Sequence, residues 1–487
     1  MRRKASYRIL ADTFRDFTEQ TSIHGLKYVC QRNISLSERI FWALVTFCGV
    51  AMAIFMTTLF WNRYTSNPTR TTITTLHAPT LAMPFPAVTI CNENLVLESK
   101  VRTFVKTLKY DNISEDDLVD LFFQLQAFTN SDQVYWNLQD LKSLHFLMSE
   151  NKYNLEDVLR EVGPNCKEML MSCQWNFRIV NCVEVFRDTY TKLGLCCTFY
   201  GHWRLSSILE KMKCLFLNRL KNKRTYTDNY GTEGTLSLVI NPKIEKNTYI
   251  QGAGLRILFH DALSYPDFRA LKKIITTGTQ TQIQIFGTKI LCSSGVSELS
   301  LEQRGCVFPG EVKVKHFSTY SDANCLIEKE AYELMDACGC VPYYYDFSEF
   351  PKCNILQLPC FIQASTRNGS WQDFSNDCPA SCEDTLYEVK TTQVKLEKGD
   401  FYYIHSRDYI ENLEEHTTQL KIYFVKFQKI LQRDLLFSTV SLIASFGGIY
   451  SLFIGCSVIT ICEIIYYCTL RLLVKKHISE RQIDSRK

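Results

Sequence analysis

The sequence contains no Gly-x-Ser-x-Gly elbow and no His-Glu-x-x-His helix, so an activated serine and a helix-borne catalytic zinc are both missing. Pairs such as His260-Asp261 read as loop residues, and the chain is not read as an enzyme. Histidine is scarce, at 9 residues, and no Cys-x2-Cys pair with a neighbouring histidine pattern occurs. Cys338-Gly-Cys340 and the run through Cys353, Cys360, Cys378 and Cys382 therefore find no support as a zinc cluster, and no metal or cofactor is expected. Internal repeats and low-complexity linkers are also absent. The 55 basic and 51 acidic residues nearly cancel to +4, a balance that gives no reason to expect a nucleic-acid partner. With 46% apolar and 22% charged residues, the chain is neither disordered nor uniformly hydrophobic.

Long apolar runs are few as well: only two segments qualify as membrane spans. The first, 40–61 (IFWALVTFCGVAMAIFMTTLFW), carries no charge and ends on Trp61, an interfacial type of residue. It starts too far in, is too long and lacks a small-residue cleavage site, so it reads as a retained signal anchor. The second, 435–470, exceeds the ~20 residues that a straight helix needs, which suits a tilted or broken helix. Arg2, Arg3, Lys4, Arg8, Arg15, Lys27, Arg32 and Arg39 precede the first span. Arg471, Lys475, Lys476, Arg481, Arg486 and Lys487 follow the second. The positive-inside rule then places residues 1–39 and 471–487 in the cytoplasm and 62–434 outside a plasma-membrane bilayer.

Cysteine usage fits that topology. Of 21 cysteines, 16 lie between Cys91 and Cys382, a density typical of a disulfide framework in an oxidising compartment. Asn112-Ile-Ser114 and Asn368-Gly-Ser370 are glycosylation acceptors there; Asn33-Ile-Ser35 has the same form but is expected to be cytoplasmic and unused. Pro84 to Asn92 reads as extended, and residues of about 100–160 as helical with Asp116, Asp117 and Glu156 on solvated faces. Strands are expected over 235–259 and 281–314, a helix over 325–335, and a cysteine-stapled hairpin of helices or loops over 338–382. The patch at 421–427 reads as an amphipathic strand or interface anchor, and Lys221 to Arg224 as a solvated basic loop rather than a processing site.

Within the second span, Ser441, Ala444, Gly448, Ser451 and Gly455 recur at spacings of 3, 4, 3 and 4 and so share one helical face, with bulky apolar residues elsewhere. Small-xxx-small helix packing explains such a stripe. A pore explains it too, because the stripe runs into Gly455-Cys456-Ser457 and is followed by Glu463, a carboxylate within the apolar run.

Several motifs together resemble the degenerin/epithelial sodium channel family, and within it the insect pickpocket-like members. Ser22-Ile23-His24-Gly25-Leu26 is similar to its His-Gly motif, Phe85 to Asn92 (FPAVTICN) to its signature after the first span, and Cys173 to Cys196 to its finger region, with Cys197 and Tyr200 replacing the usual Tyr and Asn. The second span is the most specific match.

The resemblance implies an α+β membrane protein with two transmembrane helices and a large disulfide-rich mixed α/β ectodomain of finger, thumb, palm and β-ball type. It implies the bridges Cys91 with Cys196, Cys173 with Cys182, Cys306 with Cys382, Cys325 with Cys378, Cys338 with Cys360, and Cys340 with Cys353. A further family bridge falls on Lys329 and Asn376, so both its halves are missing together. Cys166, Cys197, Cys214 and Cys292 stay unassigned. It further implies a homo- or heterotrimer with related subunits, voltage-independent, blocked by amiloride-type compounds and passing Na⁺. Gly455, Cys456 and Ser457 would form the selectivity filter, Ala444, Gly448, Ser451 and Glu463 would line or gate the pore, and His24 and Gly25 would form the gating motif. Within that set, Ala444 falls where bulky residues hold family members open and Ser451 on the amiloride-contacting position. Ser445 stands where acid-sensing members carry Asp, so proton gating is not carried over. A non-conducting accessory or chemosensory subunit is the alternative, and an ATP-gated-type two-span channel, which shares the architecture but not these motifs, a remote one.

Overall fold

The computed structural model describes residues 2–31, 34–110, 113–128, 136–201, 226–232, 236–245, 254–267, 269–345, 347, 349–367, 377–396 and 416–484. Asn33, Asn112, Cys214, Asn368 and the Lys221 to Arg224 loop lie outside these residues. The chain divides into two units, one of Met1–Thr71, Ser293–Arg304 and Arg433–Lys487, the other of Thr72–Cys292 and Gly305–Gln432.

Two sheets form the heart of the larger unit. Among the described residues the strands are β1 (Thr69–Ala78), β2 (Ala87–Asn92), β3 (Leu170–Trp175), β4 (Arg178–Val180), β5 (Phe186–Thr191), β6 (Gly194–Phe199), β7 (Leu236–Ile240), β8 (Gly254–His260), β9 (Leu271–Thr276), β10 (Thr279–Cys292), β11 (Asp384–Lys395), β12 (Thr418–Phe424) and β13 (Gln428–Leu435), with the start of β1 and the end of β13 counted in the smaller unit. One sheet runs β1-β13-β10-β12-β7-β3-β4 with β11 also on β10, and the other runs β5-β6-β2-β8-β9. The FPAVTICN segment lies where the sheets meet: all six residues of β2 are buried. Phe85 packs on Trp175 and Phe424 of one sheet at 5.0 and 5.4 Å, and Trp175 meets Phe199 of the other at 5.1 Å. Edge-to-face contact of this kind adds to the apolar area that these rings bury.

Helices Glu98–Val105, Glu115–Phe123, Leu138–Glu150 and Leu155–Val162 occupy the expected helical region. Leu155, Val158, Leu159 and Val162 show why: their spacing puts one apolar face into the core, and Asn154 caps the first turn. Asp116 and Asp117 are exposed, whereas Glu156 is half-buried, 3.4 Å from Lys352. The helix Asp322–Cys338 outruns its expected bounds at both ends, capped by Ser321 and by left-handed Gly339. The strand expected over 281–314 stops at Cys292, and short helices Ser294–Ser297 and Leu301–Arg304 follow. The β-branched pattern gives way there to Ser293-Ser294-Gly295, which favours a turn. The 421–427 patch is mostly strand β12, between β10 and β7.

Among the described residues, seven disulfides are present. Six join Cys91 to Cys196, Cys173 to Cys182, Cys306 to Cys382, Cys325 to Cys378, Cys338 to Cys360 and Cys340 to Cys353. The seventh, Cys166–Cys197, pairs two cysteines that the sequence left unassigned. The thiol of Cys292 donates to the Cys382 carbonyl. Where a further bridge would start, Lys329 instead pairs with Asp377 at 2.5 Å.

Between β2, β6 and β8 lies a buried polar chain. His260 Nδ1 faces the carbonyl of Asp261 at 2.9 Å and so donates, leaving Nε2 to accept from Thr89 at 2.9 Å. Burial pushes the imidazole down from its ordinary 6.5 to about 4. The unfolded chain therefore takes up a proton below 6.5 that the folded protein refuses. Stability from this site is complete above pH 6.5 and declines as pH falls toward 4. Between pH 7.5 and 5 the loss should be about 2 kcal/mol. Melting curves of the wild type and of His260→Gln should therefore diverge at pH 7.5 and converge at pH 5; parallel curves would refute the assignment.

Candidate functional site

In the smaller unit, the helix Leu36–Ser66 is long and apolar enough to cross a membrane. It begins four residues before the expected start because Ser35 and Glu38 form a reciprocal capping box. Leu435 still belongs to β13, so the second apolar run becomes helical only at Thr439, capped by Ser438. Helices Thr439–Ile454 and Val458–Ile478 pass the same length and composition test together and are bent by 67° at their junction.

The chemistry of three residues makes the bend. Gly455 ends the outer helix with φ of 74°, a left-handed conformation that penalises any side chain. Ser457 starts the inner helix: its Oγ accepts from the Thr460 N–H at 3.3 Å, and Thr460 Oγ1 accepts from the Ser457 N–H at 3.1 Å. Cys456 lies between the two caps.

The His-Gly motif meets this break directly. The His24 N–H donates to the Ile454 carbonyl at 2.8 Å. A Cβ on Gly455 would lie 2.6 Å from the His24 ring, so glycine is required there by space as well as by φ. Gly25, with φ of 84°, turns the chain into helix Leu26–Cys30, where a side chain would collide with Thr46. Ser22 Oγ and Thr460 Oγ1 lie 2.6 Å apart, with Thr460 fully buried.

Upstream, the chain continues as a strap along the inner helix. Gln20 accepts a hydrogen bond from the Tyr467 hydroxyl, and Phe17 meets the Tyr467 ring edge-on at 5.6 Å. Asp16 lies 2.7 Å from Lys475 Nζ and 3.5 Å from Arg471. The hydrogen bond from Lys475 is the chief reason why the Asp16 carboxyl titrates below the ordinary carboxylate range. Sequence reasoning found His24 and Gly25 but missed Asp16, Gln20, Ser22, Thr460, Tyr467 and Lys475. The available signal was spacing: Thr460, Glu463, Tyr467, Arg471 and Lys475 recur at 3, 4, 4 and 4 and form one helical stripe.

On the outer helix, Ser441, Ala444, Gly448 and Ser451 are all exposed. A Cβ on Gly448 would meet nothing within 4 Å. Other residues make the contacts to the first apolar helix: Phe437 and Phe446 with Phe60 at 4.7 and 5.4 Å, and the Tyr450 hydroxyl with Thr57 at 3.4 Å. Within one chain, then, the small-residue stripe is not the packing face. Glu463 is half-buried, and among the described residues its Oε2 has no hydrogen-bond partner.

Residues 17–467 match the family model described as the amiloride-sensitive sodium channel. Sodium channel protein Nach of Drosophila melanogaster is 29% identical over 94% of this chain and 87% of its own length. Pickpocket protein 28 of the same species is 23% identical over 93% and 78%, and the human bile acid-sensitive ion channel 25% over 93% and 85%. Since the match runs from within the N-terminal strap to the inner half of the broken helix, the chain belongs to the amiloride-sensitive sodium channel family, the degenerin/epithelial sodium channels, which are membrane ion channels and not enzymes.

Proposed function

We propose that this chain is a subunit of a trimeric, amiloride-sensitive, voltage-independent channel selective for Na⁺ in the plasma membrane, opened by a chemical or mechanical stimulus in sensory or epithelial cells. The reading rests on the interruption at Gly455-Cys456-Ser457 below an unoccupied stripe of small residues. Backbone leaves the helix at membrane depth only where it is buried in protein or lines a water-filled path. Three such chains around one axis would present a ring of carbonyls and Ser457 hydroxyls to a partly dehydrated cation, and the ring's size and dipole number would choose the ion. Ala444, Gly448 and Ser451 line the path above, with Ser451 at the amiloride contact, and Glu463 lies below. Both termini are cytoplasmic and the disulfide-bonded unit is extracellular, in keeping with basic flanks at both ends.

Ala444→Val tests this reading. A larger side chain on the exposed small face should crowd the closed arrangement and raise resting current several-fold in voltage-clamped cells. Replacing external Na⁺ should abolish that current, and amiloride should reduce it. A conducting complex whose resting current is unchanged would count against the assignment of Ala444. Silence despite surface delivery would favour an accessory subunit that needs a related partner, which co-expression then checks.

A further inference from the structure

The strap from Asp16 to Gly25 has contacts at both ends, and its far end has no role in the site described so far. We propose that Asp16, with Lys475 and Arg471, is a latch that sets the position of His24 against the helix break, making Asp16 a positioning residue for ion selectivity. The inference rests on the channel reading above for its electrical readout only.

Geometry carries it. Between the ion pair at Lys475 and the capped carbonyl at Ile454, the strap touches the helix at Tyr467 and Thr460 on one face. Thr21 also donates to the Phe17 carbonyl, so the segment between the latch and the motif is not slack. A shift at Asp16 is therefore passed to the N–H that holds the Ile454 carbonyl, next to Gly455. Glu463 supplies a second, independent sign. It lies between Thr460 and Tyr467 on the covered stripe, with one oxygen buried and unpartnered among the described residues. An isolated carboxylate oxygen out of water is unfavourable, and that cost falls on the stripe that the strap contacts on either side, at Thr460 and Tyr467. The ionic contact at the strap's end supplies an opposing attraction, partly exposed and therefore of modest strength.

The experiment uses the full-length chain carrying Ser22→Cys and Thr460→Cys, oxidised with copper-phenanthroline and read by peptide mapping of the cross-link. If Thr460→Cys blocks surface delivery, Gln20→Cys with Tyr467→Cys replaces the pair. Asp16→Asn should lower cross-link yield about five-fold, Lys475→Met should lower it less because Arg471 remains, and the double variant should do no more than Asp16→Asn. Asp16→Glu should restore it. In cells, Asp16→Asn should lower the Na⁺/K⁺ permeability ratio about five-fold and Asp16→Glu should not. Unchanged cross-linking in Asp16→Asn overturns the latch, whatever the currents do. Cross-linking that responds as expected in a chain that passes no current, even with a related partner, supports the latch and counts against the channel reading instead.

Discussion

Gly455→Ala should reduce Na⁺ current at least about ten-fold without reducing delivery to the surface. Two separate costs act together. A left-handed backbone at 74° costs an alanine ~1–2 kcal/mol. Its Cβ would also lie 2.6 to 2.8 Å from three atoms of the His24 ring, a distance that only movement of the ring or of the break can relieve. The strain falls at the helix break, while the disulfide-bonded unit keeps its own core and bridges, which is why assembly should survive when conduction does not. Adding His24→Ala removes the ring contact and leaves the φ penalty, so the double variant should regain part of the current. Full current in Gly455→Ala would place the ion path elsewhere. Loss of current with no recovery in the double variant would assign the whole effect to backbone conformation.

The same contrast between local and distant causes explains what the sequence made legible. Gly455 and Ser457 are punctuation marks whose meaning is local: one ends a helix and the other begins one, so the break was readable within a few residues. The cysteine bridges were readable through motifs, and the helical face of 155–162 through its own periodicity. Asp16 was not readable, because an acid among basic residues near the chain start gives no hint that its partners lie at Arg471 and Lys475. Nor was Glu463: its position in an apolar run suggested a water-filled path, and only the structure shows that one oxygen is buried within the single chain. The 281–314 segment was over-read as strand because Val312 and Val314 prolong a β-branched impression past the turn at Ser293.

Cys166 and Cys197 present the reverse case: residues with no assigned partner whose bond defines a joint between elements. Cys197 lies on β6, immediately after Cys196, and successive residues of a strand point to opposite faces. Cys196 therefore bonds to Cys91 on β2 of the same sheet, while Cys197 bonds to Cys166 at the start of the short helix that leads into β3 of the other sheet. The bond ties the two sheets together beside the Phe85, Trp175 and Phe199 cluster. With a sequence separation of 31, the chain-entropy treatment gives about 3.7 kcal/mol for such a closure. Cys166→Ala with Cys197→Ala should lower the stability of the larger unit by roughly that amount and reduce surface delivery several-fold at 37 °C, with Na⁺ selectivity unchanged in the channels that arrive. Either single substitution should do worse than the pair, because it leaves one reactive thiol among correctly paired cysteines and opens a route to exchange. Unaltered melting of the double variant would mean that packing of the two sheets, rather than the bond, holds this joint. Altered selectivity would mean that the bond also acts on ion passage.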